Sequence, residues 1–299
     1  MTGLISGTTV PSTPPRRTRV GHIEFLNCFP LLWGLTQAGN FSDLELIKDT
    51  PDRLSDALVR GELDIGPVSL LELLKNADDL VVLPDIAIGT DGPVMSCLII
   101  SRVPLSQLHE QPVALGSTSR TAVRLAQLLF SDLIGVQPKY FVCQPDLAAM
   151  LKEAPAAVLI GDTALRAALH EAPRLNLEVH DLGQMWHEWT GLPFVFAAFA
   201  ARREFAEREP EVAGCVHADL LQARELSFAN MDEICEQAAR YQDFDAATLK
   251  RYYIDALDFT LGDRQLAGIA EFARRIAGQR SDFSLPPQLQ LLPTTIFKR

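Results

Sequence analysis

Apolar positions along the chain fall into short continuous runs separated by stretches of helical spacing, which predicts strands and helices in alternation. Residues 19–26 carry Val20, Ile23, Phe25 and Leu26 and read as a buried parallel strand. A helix is expected from Phe29 or Pro30 to Thr36, then a strand over 44–48. Thr50-Pro51 opens a helix, with Thr at the N-cap place and Pro at the first helical position. Gly61 stands where that helix should stop. Residues 64–68 form a third strand, and Ser69-Leu70-Leu71-Glu72 has the form of a capping box opening another helix.

Residues 93–101 make a longer apolar run, able to cross between two units. The alternation then restarts: strand 113–115, helix 121–134, strand 139–143, helix 145–153, strand 156–160, a helix opening at Gly161-Asp162, and an extended segment at 177–182. Residues 192–200 form a second long apolar run that could carry the chain back, and everything after Arg202 has helical spacing. The expected organisation is a tail over 1–18, a first lobe from 19–99 plus 196–299, and a second lobe from 100–195. The fold class is α/β, with two lobes, two crossing strands and C-terminal helices packed on the first lobe. A cleft between such lobes is the natural place for a ligand.

Composition narrows the function. The chain has 299 residues, 47% hydrophobic and 22% charged, as for an ordinary folded protein. Its formal net charge of -11 argues against nucleic acid as a partner, since phosphate backbones need clustered Lys and Arg. No apolar run approaches the roughly 20 residues that span a bilayer, and the Thr/Ser/Pro-rich start lacks a signal-like apolar core, so a cytoplasmic location and no membrane partner are expected. The five cysteines are widely spaced without a C-x-x-C pair, and free buried thiols are the expectation for each.

The hydroxyl-rich stretch Gly116-Ser117-Thr118-Ser119-Arg120-Thr121 carries the first functional signal, because it sits where a strand hands over to a helix. Helix starts offer free N–H groups and a partial positive charge, so small hydroxyls with an arginine among them suit a carboxylate or phosphate. The alternative is an ordinary N-cap.

The order of motifs along the chain resembles the chorismate dehydratases of the futalosine route to menaquinone, within the type II periplasmic-binding-protein architecture. The residues concerned are Arg19-Val20-Gly21-His22-Ile23 with Phe25-Leu26-Asn27; Asp64-Ile65-Gly66-Pro67-Val68-Ser69; Gly89-Thr90-Asp91-Gly92-Pro93-Val94-Met95-Ser96; the 116–121 stretch; Leu159-Ile160-Gly161-Asp162; and Asp181-Leu182-Gly183 with Trp186 and Thr190-Gly191-Leu192-Pro193-Phe194. A related family, which makes dihydroxynaphthoate on a similar scaffold, opens with a Ser-Pro-Cys-Pro-Asn type of sequence after its first strand. Here that place reads Phe25-Leu26-Asn27-Cys28-Phe29-Pro30.

The resemblance implies loss of water from chorismate, a small dianion, to give 3-[(1-carboxyvinyl)oxy]benzoate. Aromatisation drives that reaction, so neither a cofactor nor a metal is expected. Asn27 and Ser96 are the expected catalytic residues. Ser69, Gly116, Ser117, Thr118, Ser119, Arg120 and Asp162 are the expected substrate contacts. No protein base stands out: Asp64 and Asp162 sit where capping is the plainer role, and a fixed carboxylate would repel a dianion. The side-chain carboxylate of the substrate is therefore the expected proton acceptor. His22 reads as a core or rim residue, His109, His170 and His217 as loop or exposed-helix residues, and Trp186 and Trp189 as packing. Competing readings are a non-catalytic anion-binding protein or sensor, and the dihydroxynaphthoate synthase. Oligomeric state is not legible.

Overall fold

The computed structural model describes residues 16–39, 44–116, 119–279 and 289–293. Two five-stranded mixed sheets form the framework. The first orders its strands β2 (Leu44–Asp49), β1 (Thr18–Ile23), β3 (Ile65–Ser69), β10 (Phe194–Arg202), β4 (Leu80–Thr90). The second orders β7 (Lys139–Cys143), β6 (Pro112–Gly116), β8 (Ala156–Ile160), β5 (Cys97–Ser101), β9 (Glu178–Asp181). In each sheet three strands run parallel through helical crossovers, and the returning strand, β10 or β5, pairs antiparallel on both sides. The chain passes between the sheets over residues 91–96 and again over 191–193. The two apolar runs make these crossings only at their leading ends, 93–96 and 192–193, and the strands that follow, β5 and β10, each lie wholly in one sheet.

Period-two burial explains how the second sheet holds two layers together. Cys97 and Ile99 of β5 face the main core, and Leu98 and Ile100 face a smaller one behind the sheet. β8 divides in the same way, with Ala156 and Val158 on one side and Ala157 and Leu159 on the other. The main core is continuous from the first sheet through the C-terminal helices to Trp186 and Phe272. The helix Asp263–Gln279 thus reaches beyond the first lobe: Phe272 meets Trp186 edge to face at 6.1 Å, and Arg275 stacks over Trp189 at 3.5 Å. Backbone bonds from residues 290–292 to Val82 extend the open edge of β4.

Several local expectations change. Ser69 stands at the N-cap of the helix Leu70–Lys75, but its hydroxyl makes no capping bond. Glu72, its presumed reciprocal partner, pairs instead with Lys75 at 2.8 Å and lies 3.6 Å from Arg120. Thr50 does not cap with its side chain either. Of the positions expected in the tail, Thr18 belongs to β1 and Arg16 pairs with Asp64 at 2.6 Å. Asp64 also takes Arg19 at 2.9 Å, so this buried carboxylate is an anchor for the start of β1. His217 is buried and contacts the Pro84 carbonyl at 2.8 Å. The turn over 129–134 widens to i→i+5 bonding, which leaves Leu133 exposed and buries Phe130. All five cysteines are free, but Cys143 and Cys215 are only half-buried.

His22 is buried on β1, next to Lys48 of β2, and burial followed by the lysine charge pushes its imidazole down to about 4. The unfolded chain then binds more protons than the folded one between about pH 6.5 and pH 4, so stability is lost as pH falls through that window. His22→Gln is expected to flatten the difference, by about 2–3 kcal/mol at the acid end. Urea midpoints of parent and variant at pH 7 and pH 4.5 check this; parallel shifts of the two would show that His22 is not the group responsible.

Candidate active site

A pocket of about 40 Å³ opens where the two sheets face each other. Its polar lining comes from four predicted residues: Asn27, Ser69, Ser96 and Ser119. Each is delivered by a strand end. Asn27 lies on the 3-10 turn Leu26–Cys28 that follows β1, Ser69 ends β3, Ser96 immediately precedes β5, and Ser119 starts the helix Arg120–Leu128 after β6. That is the carboxyl end of an open α/β sheet, where side chains converge without blocking one another. The remaining walls are mainly apolar, including Phe25, Ile88, Ile160, Phe196 and Leu257. Among the described residues lining it there is no Asp, Glu, Lys, Arg or His.

Two buried polar atoms there lack a hydrogen-bond partner among the described residues: Asn27 Oδ1 and Ser69 Oγ. Burying such groups unpaired costs folding energy, about 1–3 kcal/mol each, so their retention points to a ligand. Ser69 is held in place through its backbone, whose N–H donates to Ser55 Oγ at 3.0 Å. Ser96 is tied on two sides: its carbonyl accepts the Gly161 N–H at 2.7 Å, and Tyr252 OH reaches its Oγ at 2.8 Å. Ser119 Oγ accepts the Ala122 N–H at 3.2 Å, so it caps its helix while facing the pocket.

The other expected contacts lie elsewhere. Ser117 and Thr118 fall outside the described residues. Gly116 ends β6 and does not line the pocket; an added Cβ there would come within 3.2 Å of the Val158 carbonyl oxygen, so the residue serves strand packing. Arg120 does not line the pocket: its guanidinium bonds Asp56 at 2.6 and 2.9 Å, and its backbone N–H bonds Asp52 at 3.2 Å. Three carboxylates, Asp52, Asp56 and Glu72, gather round this one cation and tie the lobes together. Asp162 neither caps its own helix nor lines the pocket; it accepts the Leu26 N–H at 2.9 Å from the opposite lobe, and burial raises its carboxyl above the usual range. Beside it, Gly161 at φ +63° lets the Phe25 ring approach, since a Cβ would sit 2.9 Å from that ring.

The crossing segment is fixed by Asp181, whose buried carboxylate accepts N–H groups of Val94 and Met95 and also those of Gly183 and Gln184. Met95, at φ +62°, is the strained residue this clamp holds next to Ser96. Asp91 is engaged by His187 at 3.0 Å and by Arg264. Among the described residues no three His, Cys, Asp or Glu side chains cluster as a metal site, and no helix is long and apolar enough to cross a membrane.

Sequence reasoning missed Phe196, Cys97 and Tyr252. Pairing with β4 skips from Val195 to Ala197, so Phe196 sits on a bulge, and bulges beside sites re-aim a side chain. Within an unbroken apolar run no local signal marks that position. A larger recess of about 420 Å³, lined by Arg124, Tyr140 and Gln279 among others, holds none of the expected residues.

Comparison with known proteins follows the same outline. In solved structures the fold matches a protein from Archaeoglobus fulgidus (TM-score 0.71, 18% identity, 89% of this chain and 99% of that one). It also matches the periplasmic aliphatic sulphonate binding protein from Escherichia coli (TM-score 0.65, 17% identity, 95% and 96%). These likenesses speak to the two-lobed fold alone. In sequence, the chain is 30% identical over 268 residues to the chorismate dehydratase of Thermus thermophilus, covering 83% of this chain and 95% of that protein. It is 28% identical over 243 residues to a 1,4-dihydroxy-6-naphtoate synthase of Streptomyces coelicolor, covering 78% and 83%. A family model described as menaquinone biosynthesis matches residues 18–278. With nearly all of both sheets and the pocket between them inside that match, the chain belongs to the menaquinone biosynthesis family.

Proposed function

We propose that this protein is a chorismate dehydratase, a hydro-lyase that converts chorismate to 3-[(1-carboxyvinyl)oxy]benzoate for menaquinone. The observation that carries this reading is a pocket lined from both lobes by neutral donors, with Asn27 Oδ1 and Ser69 Oγ buried and unpartnered, in a chain 30% identical to a dehydratase of that name.

The chemistry suits such a lining. The C3–H of chorismate is vinylogous to the ring carboxylate, so its removal sends charge toward that carboxylate. Donors placed there stabilise the transition state more than the ground state. The Ser119 hydroxyl at its helix start suits one carboxylate of the dianion, and Ser69 faces from the other lobe. Asn27 and Ser96 lie closest to the breaking bonds. With no Asp, Glu, Lys, Arg or His in the described lining, the carboxylate on the substrate's own side chain takes the C3 proton and returns it to the C4 hydroxyl, which leaves as water as the ring becomes aromatic. A pocket of about 40 Å³ has room for only a few waters, so the lobes must part to admit the substrate. Residues 91–96 and 191–193 are the places where they would bend.

Incubating the purified protein with chorismate and following the ultraviolet spectrum tests the proposal directly. Growth of a benzoate absorbance is expected. Binding of chorismate without conversion would replace the enzyme by a sensor, and turnover of a cyclic futalosine derivative in its place would make it the naphthoate synthase.

A further inference from the structure

The helix Ala246–Arg251 continues into a widened turn, Tyr252–Ala256, that buries two consecutive tyrosines completely. Such turns are frequent at functional sites. Tyr252 is directed at the pocket wall: its hydroxyl lies 2.8 Å from Ser96 Oγ, across 156 positions of sequence. Ser96 Oγ has one other described neighbour, the Val94 carbonyl, at a long 3.4 Å.

The direction of the Tyr252–Ser96 bond follows from what each proton would otherwise face. If Ser96 donated to Tyr252, the phenolic proton would be left buried with no described acceptor, which is unfavourable. If Tyr252 donates, it is satisfied, and the Ser96 proton keeps the pocket or the distant Val94 carbonyl as its outlet. Burial keeps the phenol protonated, so it remains a donor across the working pH range.

We propose that Tyr252 is a positioning residue that donates to Ser96 Oγ, fixes its rotamer, and thereby turns the Ser96 hydroxyl into a donor aimed at a substrate oxygen. The assignment rests on the chorismate reading of the pocket, and it adds that the C-terminal helices complete the site from behind. A bound anion then sees a hydroxyl polarised by a second one, and loss of the phenol would let Ser96 swing toward Val94.

The test is a double-mutant cycle with Tyr252→Phe and Ser96→Ala in the full-length protein. Tyr252→Phe is expected to lower kcat on chorismate roughly tenfold with little change in KM. In the Ser96→Ala background the same change is expected to cost nothing further. Equal losses in both backgrounds would overturn the assignment and leave Tyr252 as packing. The parent assay separates this from the functional reading: no conversion by the parent protein rejects the dehydratase, while conversion with additive losses rejects only the role of Tyr252. Should the parent bind chorismate without converting it, the cycle is read in Kd, with the same pattern expected. Should it not bind chorismate at all, a zero coupling in urea midpoints rejects the Tyr252–Ser96 bond itself, and the aiming role falls with the ligand.

Discussion

Asn27→Leu is expected to lower kcat on chorismate by roughly 10²- to 10³-fold, the size found when one preorganised donor is removed from a transition state. The unfolding midpoint is expected to stay level or rise. The two halves of that result share one cause. Asn27 sits in the pocket lining with Oδ1 buried and unpartnered among the described residues, so its amide costs the folded protein something. Leucine has nearly the same size and removes that cost together with the amide the proposed mechanism uses. A loss of turnover with stability kept is the mark of a group retained for chemistry. A variant that turned over chorismate at the parent rate would remove Asn27 from the mechanism, and one that lost kcat and unfolded early would make it structural.

Gly34→Val is expected to cost about 3 kcal/mol or more of stability, lowering the unfolding midpoint by roughly 6–12 °C in calorimetry. The helix Phe29–Ala38 packs on the long helix Pro210–Ala229 so closely that a Cβ at Gly34 would lie 2.6 Å from the Ala223 carbonyl carbon and 2.8 Å from its Cα. These are backbone atoms, so the helices themselves must separate, and neighbours such as Leu31, Leu35 and Leu220 lose contact. Ser227, which donates to the Pro30 carbonyl at 2.6 Å, would lose that bond. Gly278→Ala, where nothing lies within 4 Å of the new methyl, is the control and should be neutral. Equal midpoints for Gly34→Val and its parent would mean that the two helices are not in close contact. Because Asn27 lies one residue before Cys28, which abuts the same helix, the variant also reports how firmly the turn Leu26–Cys28 is seated.

The candidate site was legible where chemistry coincided with local structure. Asn27, Ser69, Ser96 and Ser119 stand out in the sequence because small polar residues at strand ends and helix starts have a recognisable local setting, and the fold brings those four to one pocket. Arg120 stands out for the same reason, yet it lies outside the pocket lining. A cation beside a hydroxyl cluster looks like a ligand contact, and nothing local shows that Asp52, Asp56 and Glu72 come to meet it from the other lobe. The capping box at Ser69 failed likewise, since that arginine and Lys75 compete for Glu72.

What the amino-acid order determines by itself is the succession of elements and their ends. The 3.6- and 2-residue periods, Pro51 at a helix start and Gly61 at its left-handed stop at φ +78° all act between residues close in the chain. What only the tertiary structure decides are contacts whose partners are far apart in sequence: the bulge that aims Phe196, Asp181 clamping Val94 and Met95, Asp162 closing on Leu26, and Tyr252 behind Ser96. No local preference encodes these, because each depends on which segments the two sheets bring side by side. In this protein that juxtaposition is what turns four scattered polar residues into one pocket.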